Sequence, residues 1–270
     1  MGGGRTKDGT PIYRRIKGIY TRIAPYKNNN NVIMGVVNSG KVDIKLTKID
    51  KNSEILKAKN FSELEKALSK HIAVSIAPEL EKYGNFELVQ RSMQAVDRMT
   101  KLFPILKNDF LVMQFHRKKG CDICGMDYDG FLYFFEPFFS KKNPEPLRKE
   151  GSFHPKNFSY EQVVAHELGH RIEALYLQKL YPKATERQLK ASFNLHEGYI
   201  NISKIMYQKL LDAGYKGHAR DMMKAVSGYA SKNWAEFGAE SIGDVYSNGS
   251  KASPVSILFV QTLIEELNKP

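Results

Sequence analysis

Ser159-Tyr-Glu-Gln-Val-Val-Ala-His166-Glu167-Leu-Gly-His170-Arg-Ile-Glu-Ala-Leu-Tyr176 decides how this chain is read. Ser159 with Gln162 three residues later spells a capping box, and Phe158 with Val163 a hydrophobic staple, so a helix is predicted to start near residue 160. Val163, Val164, Leu168, Ile172, Leu175 and Leu177 make that helix apolar over much of its circumference, which predicts burial. His166 and His170 are four apart and share one helix face, where both imidazoles can reach one metal ion. Glu167 lies beside that face and can act on a metal-bound water without being a ligand. Gly169 costs about 1 kcal/mol against Ala in a helix interior, so something is expected to pack closely on it.

H-E-x-x-H is the zinc-peptidase pattern. A catalytic zinc usually has three protein ligands and one open position. The position six residues after His170 is Tyr176, which excludes the three-histidine metzincin arrangement. Glu173 stands on the same helix, whose surface is too stretched to close three ligands around one ion. The better candidate lies in Ser227-Gly-Tyr-Ala-Ser-Lys-Asn-Trp-Ala-Glu236-Phe-Gly-Ala-Glu240. Glu236 and Glu240 are four apart on one face of a second helix. One can bind the metal while the other orients a ligating histidine.

Together these two segments resemble the gluzincin metallopeptidases of the anthrax lethal-factor-like group, which includes Pro-Pro endopeptidases and zincin domains of phage head proteins and polymorphic toxins. That group carries H-E-[FL]-G-H, then a Y-x-x-x-N-x-x-E-F-F-A-E string. Tyr229, Asn233, Glu236, Phe237, Ala239 and Glu240 fall at those spacings, with Gly238 in place of the usual second Phe. The resemblance covers roughly residues 60–268 and includes Gly151-Ser-Phe-His-Pro-Lys-Asn-Phe-Ser-Tyr160 before the motif helix. It implies an α+β, zincin-like fold, mostly helical, with a small mixed sheet whose edge strand borders the active site. It implies Zn2+ held by His166, His170 and Glu236, Glu167 as general base, Tyr229 as donor to the oxyanion, and Glu240 hydrogen-bonded to a histidine ligand. A protein or peptide substrate follows, and a phage or mobile-element source with phage structural proteins as partners rests on the resemblance alone.

Elsewhere the chain is less specific. Its 42% hydrophobic and 26% charged residues are those of an ordinary globular protein. No apolar run reaches the roughly 18 residues of a membrane helix. Met1 to Thr10 has no hydrophobic segment, so no secretory signal is expected and the default location is the cytoplasm, with virion association or non-classical export as other routes. Net charge is +12, of which residues 1–60 hold +9 from 13 Lys/Arg against 4 Asp/Glu. Nucleic-acid contact by this arm and a solvated basic arm are both open readings. Residues 1–58 form a basic region with an Asn28–Asn31 loop and a β-hairpin over Val32–Val37 and Val42–Thr47; residues 59–270 form the catalytic domain.

A helix is predicted over Ser62–Ser69, and an amphipathic one over Phe86–Phe103, ended by Pro104. Strands are predicted at Phe110–Phe115 and Gly130–Phe139, joined by a loop holding Cys121 and Cys124 as a hairpin tip. Phe131, Tyr133 and Phe134 are expected to line the substrate groove. Lys141–Asn157 reads as a loop. Later helices are predicted near 184–195, 198–213, 219–230, Trp234–Val245 and Pro254–Leu267. His196-Glu197 imitates the motif without its second histidine, and His71, His116, His154 and His218 read as surface or structural. The competing reading is a non-enzymatic virion or interaction protein that keeps a zincin scaffold.

Overall fold

The computed structural model describes residues 13–16, 19–22, 29–40, 44, 52–117, 122–142, 144–147 and 158–270. Two strands, β1 (Tyr13–Ile16) and β2 (Ile19–Arg22), pair antiparallel. The first arm of the hairpin expected over 32–47, Val32–Val37, is not a strand. Asn29–Ser39 is a helix, α1, which also takes up Asn29–Asn31 of the expected loop. Ile33 and Val37, four apart, are its buried face, and that helical spacing outweighs the strand-like run of Val and Ile.

Helices α2 (Glu54–Lys57) and α3 (Phe61–Leu68) lead to β3 (Ala73–Ile76) and α4 (Pro78–Tyr83). The helix expected over Phe86–Phe103 is broken at Gln94 into α5 (Phe86–Met93) and α6 (Ala95–Leu102). Three strands follow: β4 (Phe110–His116), β5 (Cys124–Met126) and β6 (Phe131–Phe135). The strand expected to run to Phe139 stops at Phe135, because Glu136–Phe139 forms a helical turn, α7, with Pro137 at its start. Then come α8 (Tyr160–Leu180), α9 (Glu186–Asn194), α10 (Glu197–Asp212), α11 (Ala219–Val226), α12 (Trp234–Asn248) and α13 (Pro254–Leu267). Basic residues 1–12, Val42–Asp43, Lys45–Thr47, Cys121 and the 148–157 part of the loop before α8 lie outside the described residues.

The fold is α+β, mostly helical, with a mixed four-stranded sheet in the order β3-β4-β6-β5. β3, β4 and β6 run parallel and β5 runs antiparallel on β6. β4 and β6 therefore do not form the simple hairpin that the Cys loop suggested. Gly130 turns the chain into β6 with φ +90°, and a Cβ there would lie 2.5 Å from the Phe110 carbonyl oxygen.

α8 is the central helix. It packs most closely on α12, and also on α5, α6, α9, α10 and the edge strand β5. Buried Arg171 fixes it to the sheet: Nε donates to Asp109 Oδ2 (2.6 Å), a terminal nitrogen to Asp109 Oδ1 (2.5 Å), and the other to the Tyr128 carbonyl. No helix among the described residues is long and apolar enough to cross a membrane.

Candidate metal centre

Ser159 caps α8 as expected, its Oγ accepting from Gln162 N at 3.2 Å. The reciprocal half of the box is absent. The Gln162 side chain is turned inward, and a Cβ on Gly243 of α12 would lie 3.4 Å from its Cγ. α12 is capped in turn by Asn233, whose Oδ1 accepts from Glu236 N at 2.9 Å. That cap sets Glu236 in the first turn of α12, and the small residues Gly169 and Ala239 bring the two helices together. A Cβ on Gly169 would stand 3.0 Å from Ala239 Cα, which accounts for the glycine.

Close approach of α8 and α12 makes three side chains converge. His166 Nε2 is 3.2 Å from His170 Nε2 and 3.2 Å from Glu236 Oε2, and His170 Nε2 is 3.7 Å from the same oxygen. All three ligand atoms lie within 4.8 Å of one another and can hold a metal ion. Ligands at 2.0–2.1 Å around a tetrahedral zinc stand about 3.3 Å apart, so this spacing fits such an ion.

Glu240, one turn further along α12, approaches the opposite edge of His166, with Oε1 at 3.0 Å from Nδ1. Ser227 Oγ donates to Glu240 Oε2 at 2.7 Å and accepts from Ala230 N at 2.9 Å. Glu240 thus faces the Nδ1 edge of the His166 ring while Nε2 lies toward Glu236. Ser227 was not singled out from sequence, although it stands two residues before Tyr229.

Burial, the largest influence on His166, works to keep it neutral. The Glu236 and Glu240 carboxylates outweigh burial and raise its pKa well above the usual value. Burial likewise works to protonate Glu236, but the neighbouring His166 and His170 imidazoles hold the carboxyl far below its ordinary range. Glu167 is also buried, and burial moves its pKa upward.

Tyr229 does not lie on the helix expected over 219–230. α11 ends at Val226, and Tyr229 sits in the turn before α12, where Lys232 N donates to its carbonyl at 3.1 Å. Its ring is tilted 57° against His166 with centroids 5.8 Å apart. Burial, then the charges of Glu236, Glu167 and Asp122, raise the phenol's pKa strongly, so it stays a donor at neutral pH.

Two cavities meet at His166, Glu167 and Tyr229. The smaller, about 130 Å³, is walled by Ile123, Phe158, Val163 and Lys232. The larger, about 340 Å³, is walled by Met126, Phe193, Asn194 and His196. Asp122 and Cys124 border both, so the sheet's contribution to the cleft is the segment around edge strand β5. The expected aromatic wall is not brought to the site. Phe134 is fully buried in the core, Tyr133 donates to Asp127 Oδ2 at 2.9 Å, and Phe131 stacks on Tyr133. β6 is shielded from the cleft because β5 lies outside it. Cys124 is a buried free thiol whose pKa burial raises well above the usual value.

The fold and site define an α+β protein with a candidate two-histidine, one-carboxylate metal centre in a cleft. No protein-family model matches the chain, and no curated protein or solved structure is significantly similar to it.

Proposed function

We propose that this chain is a zinc-dependent endopeptidase with a zincin-like catalytic domain, akin to the lethal-factor-like group and acting on protein or peptide substrates. The observation that carries the reading is the convergence of His166, His170 and Glu236 at tetrahedral spacing, with buried Glu167 beside them in a cleft that extends both ways. Imidazole and carboxylate donors suit Zn2+. A zinc ion bound there supplies Lewis acidity, polarising the scissile carbonyl and making water acidic enough to ionise near pH 7.

The chain's own residues do the rest. Glu167 takes a proton from the attacking water and delivers it to the leaving amine. Its raised pKa brings it closer to neutrality, where a group that both accepts and returns a proton works best. Tyr229, held protonated, donates a hydrogen bond to the oxygen of the carbonyl under attack. Ser227 and Glu240 keep His166 oriented. The outer edge of β5 has no strand partner among the described residues and suits pairing with an extended peptide.

Metal content of purified wild type and Glu236→Ala by mass spectrometry, with a peptide-library cleavage assay on the same samples, tests the reading. About one zinc per chain and cleavage in wild type, both lost in the variant, are expected. A folded wild type that binds zinc but cleaves nothing favours a scaffold role. A folded wild type that takes up no zinc overturns the metal assignment.

A further inference from the structure

His196 joins α9 to α10 and is the one non-glycine residue with positive φ among the described residues (φ 60°, ψ 28°). A histidine held there is strained, and strain that persists is over-determined by its surroundings. The surroundings are visible. Buried Glu173 Oε1 on α8 accepts from Tyr199 N at 3.0 Å, and the Tyr199 hydroxyl donates to the Gly169 carbonyl. Gly198 leaves room for this, since a Cβ there would lie 2.9 Å from Glu173 Cγ. The turn is thus pinned to the helix that carries His166 and His170. Glycine or asparagine would make the same turn with less strain.

His196 lines the larger cavity together with Glu167, His170 and Glu236. Its backbone N–H donates to the Phe193 carbonyl at 2.9 Å, which holds the turn after α9. An imidazole ring can offer hydrogen-bonding nitrogens to a peptide backbone.

We propose that His196 is a substrate-binding residue whose ring hydrogen-bonds the backbone of the peptide lying in the larger cavity. This rests on the endopeptidase reading. It explains why a strained histidine occupies a turn that glycine would make more easily.

The test uses the zinc-loaded full chain, a peptide that wild type cleaves, and the variants His196→Gly and His196→Asn. Glycine relieves the strain, so a purely structural role predicts unchanged or improved Tm and unchanged KM. Substrate binding predicts a Tm at or above wild type, unchanged zinc content, kcat within about two-fold and KM raised about ten-fold, the size of one lost hydrogen bond. Asparagine tolerates the left-handed backbone and its side-chain amide can hydrogen-bond the same peptide backbone, so it recovers part of the lost affinity. An unchanged KM in His196→Gly overturns this proposal and leaves the peptidase reading standing. A folded, zinc-loaded wild type that cleaves no peptide overturns both.

Discussion

Glu236, Glu167 and Glu173 stand within one helix pair, and their surroundings set them apart. Histidine partners hold Glu236 ionised against burial, whereas Glu167 is raised by burial. Under the proposed mechanism Glu167→Gln keeps the metal and loses the base, so kcat should fall by about 10³-fold at unchanged zinc content. Tyr229→Phe removes one donor to the oxyanion and should lower kcat by about 10²-fold, again with zinc retained. Steady-state kinetics beside metal analysis checks both; a loss below ten-fold with full zinc would remove that residue's role. Glu173 is fully buried, and burial lifts its pKa from 4.5 to about 7. The folded state therefore binds this proton more tightly than the unfolded chain. The resulting stability is complete below pH 4.5 and is lost as pH rises through about 7. Glu173→Gln carries no such titration. It should match wild type near pH 4.5 and exceed it at pH 8, by at most about 3 kcal/mol. Urea unfolding at the two pH values checks this, and an equal difference at both would sink it.

Helices carried by local signals were legible: Ser159 caps α8, the helix expected from Trp234 is α12, and the spacing of His166, His170, Glu236 and Glu240 puts each pair on one helix face. Strand β5 was not legible, because three residues cannot show an alternation and its place depends on pairing with β6. That hidden strand is also why the groove was assigned to Phe131, Tyr133 and Phe134. The aromatic run is hydrophobic enough for a groove or a core, and only the sheet order separates the two. Gly238 was legible as a departure but not as a solution. A Cβ on Gly238 would fall 2.2 Å from Tyr199 Cδ2, so the tyrosine ring from α10 fills the space where a Phe was expected. The same ring hydrogen-bonds the Gly169 carbonyl, coupling α10 to both metal-site helices. Gly238→Ala should cost about 3 kcal/mol by overpacking. Combined with Tyr199→Ala, the pair should be less destabilised than the sum of the singles by at least about 1 kcal/mol. A double-mutant cycle in urea measures this; strict additivity would mean that the two residues do not compete for the same space.

Across the whole molecule, one buried core takes in residues from both sides of residue 58. Ile33 and Val37 of α1 and Ile55 of α2 belong to the same buried cluster as Val164, Leu168 and Phe259. α1 packs on α13, and Gln261 Nε2 donates to the Val37 carbonyl at 3.3 Å. α13 in turn packs on α12, the helix that supplies Glu236. A contact between residues 37 and 261 leaves no local pattern in the sequence, whereas the excess of Lys and Arg before residue 60 is plain in the composition. The packing makes α1 an integral support of the site's second helix. Ile33→Ala, at 4% exposure, deletes methylenes from that joint and should cost about 2–4 kcal/mol. The cost should appear as one unfolding transition moved to lower temperature, followed by near-ultraviolet circular dichroism of the core aromatics. Added Zn2+ binds only the folded site and should move that same transition upward. If α1 instead formed an independent unit, Ile33→Ala would leave the zinc-sensitive transition in place and shift a separate one. Joint movement of the variant-sensitive and zinc-sensitive transitions ties the amino-terminal helix to the metal centre 130 residues and more along the chain.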